Sequence, residues 1–197
     1  MLGVVLAGGE GRRMGRDKAF VEVSGEPLWR RQVGVLQRAG AVRVAVARRR
    51  GQAPIGHAGC LLDEYEGRGP LAGLHAGLKA AGSGRLAVLA VDMPGVDEAW
   101  FAWLAGLCGP GSGAAASSGG VIEPLAALYP AEALGEAASR LERGELSATG
   151  FVLALAGAGM MTVAAAPPAY AGRLRSLNEP PAGPSAPPGG CSSPPPR

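Results

Sequence analysis

Leu2-Gly3-Val4-Val5-Leu6-Ala7-Gly8-Gly9-Glu10-Gly11-Arg12-Arg13-Met14-Gly15-Arg16-Asp17-Lys18 opens the chain with a short apolar run that ends in glycines. A continuous apolar run of this length, closed by glycine, reads as a buried parallel strand. The glycine-rich turn that follows lets backbone N–H groups approach an anion with no Cβ in the way. Arg13 and Lys18 add positive charge: a guanidinium can grip phosphate oxygens in pairs, and an ammonium acts as a compact point charge. The stretch therefore describes a strand leading into an anion-binding loop.

Working outward, residues 42–47, 60–63 and 86–92 repeat the short apolar pattern. Between them, residues 27–39, 70–81 and 97–107 have helical character. Pro27 and Pro70 fall where a first helical turn tolerates proline, and Gly40 and Gly82 fall just past two helix ends. Apolar strands alternating with helices predict an α/β domain with a mostly parallel, twisted sheet flanked by helices. Further on, residues 123–129 and 160–164 read as strands, and 131–143 and 147–156 as helices. One domain is expected over residues 1–178. Residues 179–197 are nearly all Pro, Gly, Ser and Ala, and are expected to stay disordered because they have too little apolar surface to offset ordering entropy.

A chain of 197 residues suits one well-buried domain. Lys+Arg 19 against Asp+Glu 16 gives a net charge of +3, too mild and too scattered for a nucleic-acid surface. Cys60, Cys108 and Cys191 form no paired metal or disulfide pattern, which fits a reducing cytoplasm. Residues 1–7 lack the basic flank of a signal peptide, and later apolar stretches are broken before membrane-spanning length. The expectation is a soluble cytoplasmic protein without membrane contact.

Two familiar phosphate loops do not fit the opening stretch. A dinucleotide fingerprint needs G-x-G-x-x-G and an acidic end to the second strand; here Gly9, Gly11 and Gly15 are spaced one residue too widely, and Arg48-Arg49-Arg50 follow the strand. A P-loop needs a hydroxyl after its lysine, where Ala19 follows Lys18. The segment does resemble L-A-G-G-x-S-x-R-M-G-x-D-K, the signature of the molybdenum cofactor guanylyltransferases (MobA family), at Leu6, Ala7, Gly8, Gly9, Arg13, Met14, Gly15, Asp17 and Lys18. Gly11 replaces the usual serine. The resemblance continues through 21–28 (a short hairpin entering a helix), Asp63 with Gly69-Pro70-Leu71-Ala72-Gly73, Asp92-Met93-Pro94, Glu123-Pro124-Leu125 and Leu177-Asn178-Glu179-Pro180. It implies a Rossmann-like fold of the nucleotide-diphospho-sugar-transferase type.

Asp92 is the candidate metal ligand on two grounds. A carboxylate closing a central strand points into the crevice where α/β sheets bind ligands, and Mg²⁺ needs only one or two carboxylates beside substrate phosphates. In the family the matching aspartate binds Mg²⁺ and nucleotide; the plainer reading is a cap on the turn before Pro94. The resemblance implies that Leu6, Ala7, Gly8, Gly9, Lys18, Asp63 and Asp92 bind nucleotide. It also implies that Arg13, Lys18 and Asp92 carry the chemistry, and that Asn178 helps place the acceptor. Ala47 stands where family members carry an asparagine, and Ser176 replaces the first asparagine of the closing motif. The arginine run 48–50 reads either as a solvated edge or as a site for an acidic pterin phosphate. His57, His75, Trp29, Trp100 and Trp103 read as structural residues.

By resemblance, GTP is the donor and the terminal phosphate of molybdopterin the acceptor, with transient contact to molybdenum-cofactor enzymes or their chaperones. A pterin cytidylyltransferase usually carries L-A-A-G and lacks G-P-L-A-G, so both features favour guanine. The alternatives are a sugar-phosphate or isoprenoid-precursor nucleotidyltransferase, or a non-catalytic nucleotide- or cofactor-binding protein.

Overall fold

Strand β1 (Leu2–Leu6) lies in the interior of a seven-stranded sheet, with both its faces apolar and both its edges paired. The computed structural model describes residues 1–8, 17–49, 51–52, 55, 59–62, 64–65, 67–170 and 172–177. On one side β1 pairs in parallel with β4 (Arg43–Arg48), which carries β5 (Gly59–Leu62) in parallel. On the other it pairs in parallel with β6 (Leu86–Ala90). Beyond β6 come β8 (Val121–Tyr129), antiparallel to both its neighbours, then β7 (Gly113–Ser118) and, parallel to β7, β9 (Met161–Ala165).

Successive strand residues serve opposite faces. Val5, Val46 and Leu89 pack against α1 (Leu28–Arg38) and α3 (Glu98–Gly106). Val4, Ala47 and Val88 pack against α2 (Pro70–Ala81), α4 (Leu134–Arg143) and α5 (Ala148–Gly157). Trp100 anchors the first face: it is fully buried, and its indole N–H donates to the Ala126 carbonyl at 2.9 Å, so no polar atom is left bare. Trp103 packs beside it and Trp29 packs against the same core, both at partial burial, in keeping with a structural role.

A two-residue turn, Ser24-Gly25, joins β2 (Glu22–Val23) to β3 (Glu26–Pro27). Both turn residues have positive φ, +54° and +78°, the twist that tight hairpins require. The hairpin delivers the chain to α1, where Pro27 is the residue before the helix rather than part of its first turn. Pro70 does occupy the first turn of α2. The helix expected at 131–143 opens as a 3₁₀ turn (Ala131–Ala133) and becomes α-helical from Leu134. The strand β7 went unread, and the segment from 178 onward lies outside the described residues.

Candidate active site

The C-terminal ends of β1, β4 and β6 form one rim. Ala7 N–H donates to the Ala47 carbonyl at 3.0 Å, and Val91 N–H donates to the Leu6 carbonyl at 3.0 Å, so both neighbours grip the chain as it leaves β1. Above that rim lies a pocket of about 340 Å³, a volume usual for small-molecule sites. Leu6, Ala7 and Gly8 form its floor beside Ala47. The first turn of α2 supplies another wall through Gly69, Pro70 and Gly73. Gly69 has φ +68°, a conformation costly for any side-chain-bearing residue, and it starts the helix so that its N-terminal end meets the pocket.

Asp92 and Lys18 meet at the pocket. Lys18 Nζ donates to Asp92 Oδ2 at 3.2 Å, and both residues line the cavity. Their side chains are 17% and 19% exposed, open enough for a ligand and closed enough to limit screening. Each is held from behind. Asp17 caps the 3₁₀ turn Lys18–Phe20 by accepting from Ala19 N–H at 3.1 Å. The turn bearing Asp92 is held by α1: buried Gln32 donates to the carbonyls of Ala90 (3.3 Å) and Met93 (2.8 Å), and Arg31 donates to that of Pro94 at 3.2 Å.

The chain returns to this turn near its far end. Ser176 Oγ donates to Asp92 Oδ2 at 2.8 Å, and Leu177 N–H donates to the Asp92 carbonyl at 2.9 Å. The returning segment is anchored at Asp97, whose carboxylate accepts from Tyr170 OH at 2.8 Å and Arg173 Nη1 at 2.6 Å. Burial alone would raise the Asp97 carboxyl, but bonds from Tyr170, the Trp100 N–H and Arg173 outweigh it and hold the group below its usual range. Burial and the same bond push the Tyr170 phenol up to about 12.

The expected residues Leu6, Ala7, Gly8, Lys18 and Asp92 thus come together in one pocket. Gly9, Arg13, Asp63, Asn178, His57 and Arg50 lie outside the described residues. The arginine run divides. Arg49 lines the pocket, whereas Arg48 is 1% exposed and paired with Asp17 at 2.5 Å. Arg48 is therefore neither a solvated edge nor a contact for a pterin phosphate: its side chain turns to the α1 side of the sheet, over the Phe20 ring. Gln32 was missed, though its place among Leu28, Val35 and Leu36 on the buried face of α1 marks a polar group that must find partners.

A mostly parallel sheet with a pocket at the carboxyl ends of its strands is the frame in which α/β proteins bind nucleotides and other small ligands. The profile of the MobA-like NTP transferase domain matches residues 3–158, and the chain belongs to that family. It is 47% identical to the protein of Opitutus terrae named "Probable molybdenum cofactor guanylyltransferase", with 91% of each chain covered. Among solved structures it resembles molybdopterin-guanine dinucleotide biosynthesis protein A from Archaeoglobus fulgidus, with TM-score 0.63, 25% identity, and 85% and 83% of the two chains covered. A 2-C-methyl-D-erythritol 4-phosphate cytidylyltransferase from Thermus thermophilus shares the fold alone, at TM-score 0.64 and 19% identity over 90% and 92% of the chains.

Proposed function

We propose that the protein transfers GMP from GTP to the terminal phosphate of molybdopterin, giving the guanine dinucleotide cofactor and pyrophosphate. The observation that carries this reading is the meeting of Lys18 and Asp92 at 3.2 Å in a pocket floored by Leu6, Ala7 and Gly8. Transfer between two phosphates needs no protein nucleophile; it needs an in-line arrangement and neutralised charge. The backbone of Ala7, Gly8 and Gly9 orients the triphosphate. Lys18, joined by Arg13, turns from Asp92 to the β and γ phosphates and offsets the charge that builds on the leaving pyrophosphate. By the family resemblance, Asp63 serves nucleotide binding and Asn178 serves the acceptor.

Asp92 suits Mg²⁺ held together with substrate. Its carboxylate lines the pocket, and among the described residues no group of three or more His, Cys, Asp or Glu forms a protein-only cage. An ion there supplies positive charge to the phosphate oxygens. Among the described residues no helix is long and apolar enough to cross a membrane, and we assign the reaction to the cytoplasm.

The test is pyrophosphate release by the purified chain with Mg²⁺ and molybdopterin, comparing GTP with CTP and ATP. GTP-dependent release that Asp92→Ala abolishes is expected. Release with CTP or ATP instead would overturn the donor, and GTP binding without release would favour a carrier protein.

A further inference from the structure

The molecule buries one charge that the mechanism above does not use. Arg48, the last residue of β4, is 1% exposed. Its Nη2 donates to Asp17 Oδ2 at 2.5 Å, its guanidinium lies 5.6 Å from the Phe20 ring centroid, and among the described residues its Nε and Nη1 have no hydrogen-bond partner. Two buried N–H groups without acceptors carry a desolvation penalty, and a buried ion pair often adds no more stability than apolar residues of similar size. The pair is thus poorly explained as a stabilising device. Its position supplies another explanation. The carboxylate that Arg48 grips also caps the 3₁₀ turn beginning at Lys18, and Lys18 Nζ reaches Asp92. The turn after β4 also holds the chain as it leaves β1: Gln52 Nε2 donates to the Ala7 carbonyl at 3.4 Å, and its Oε1 accepts from Arg49 N–H at 2.9 Å.

We infer that Arg48 is a positioning residue for nucleotide binding: through Asp17 it fixes the turn that aims Lys18 into the pocket. This rests on the assignment of Lys18 to the triphosphate. Arg48 does not touch the nucleotide. It sets where the ammonium of its neighbour's neighbour can go, and its charge keeps the Asp17 carboxylate from drawing Lys18 away from the phosphates.

The test is a double-variant cycle on GTP affinity, read by calorimetry with Mg²⁺ on the full chain. Arg48→Met is expected to weaken binding about tenfold in the wild-type background and less than about twofold once Lys18→Ala is present, because neighbours in one network couple on this scale. An equal loss in both backgrounds, or no loss in the folded single variant, would overturn the inference. Where Arg48→Met alone does not fold, Arg48→Met with Asp17→Asn removes both charges together. It is expected to keep the wild-type melting temperature while losing the same tenfold, and wild-type affinity in that variant would again overturn the inference. A wild type that prefers another nucleoside triphosphate corrects the donor only, and the same cycle run with that nucleotide decides Arg48. A wild type that binds none overturns both.

Discussion

Lys18 and Asp92 are 74 residues apart in sequence, and what brings them to 3.2 Å is the parallel pairing of β1 with β6 and a turn that α1 holds in place. Gln32 is the side chain that makes this hold specific, since its amide satisfies two carbonyls on either side of Asp92. Gln32→Leu should leave the carbonyls of Ala90 and Met93 without that donor, costing about 1–3 kcal/mol. At this chain length the melting temperature should fall by roughly 2–4 °C per kcal/mol, and turnover should fall with it; an unchanged melting temperature would refute the role. The meeting of Lys18 and Asp92 in the pocket was legible because each sits at a fixed place in the motif. Arg48 and Gln32 were not. An arginine inside a run of three gives no sign of which member turns inward, and a glutamine on an apolar face names no partner until the facing turn is known.

The returning segment around 172–177 works as an element that closes the turn bearing Asp92. It passes so near Gly95 that a Cβ there would lie 2.5 Å from the Arg173 carbonyl oxygen, and backbone cannot yield cheaply at that distance. Gly95→Ala should displace the segment, seen as faster tryptic cleavage after Arg173 and Arg175 together with lower transferase activity. Wild-type cleavage and activity would contradict it. Among elements, the strands flanking the pocket were readable because each is apolar on both faces and ends at glycine or charge. The sequence Gly113-Ala114-Ala115-Ala116-Ser117-Ser118 was not, since small residues carry weak strand preference. It is a strand because β8 and β9 pair with both its edges, and the close packing of β8 leaves no room for a larger residue at Gly113, where a Cβ would meet the Leu128 carbonyl at 2.2 Å.

Across the molecule, the alternation of apolar strands and helices determined the architecture, and the motif order placed the pocket at the carboxyl ends of the sheet. One buried group outside the pocket gives the whole fold a pH dependence. His75 on α2 is buried edge-on to Tyr65 at 5.2 Å. Burial lowers its pKa from the usual 6.5, with Lys79 adding to the effect and Glu64 opposing it. The folded chain therefore resists protonation that the unfolded chain accepts, so stability is full above about 6.5 and declines as pH falls below it. Melting temperature measured from pH 7 to pH 5 should drop for the wild type and drop less for His75→Phe; parallel curves would remove His75 as the cause. The central claim concerns which bond is made, and isotope position tests it most directly. With GTP labelled at its α phosphate, molybdopterin and Mg²⁺, the label should appear in a pterin product of dinucleotide mass, while label at the γ phosphate should leave as pyrophosphate. An α label that stays on free nucleotide, or that transfers as readily from CTP, would contradict guanylyl transfer.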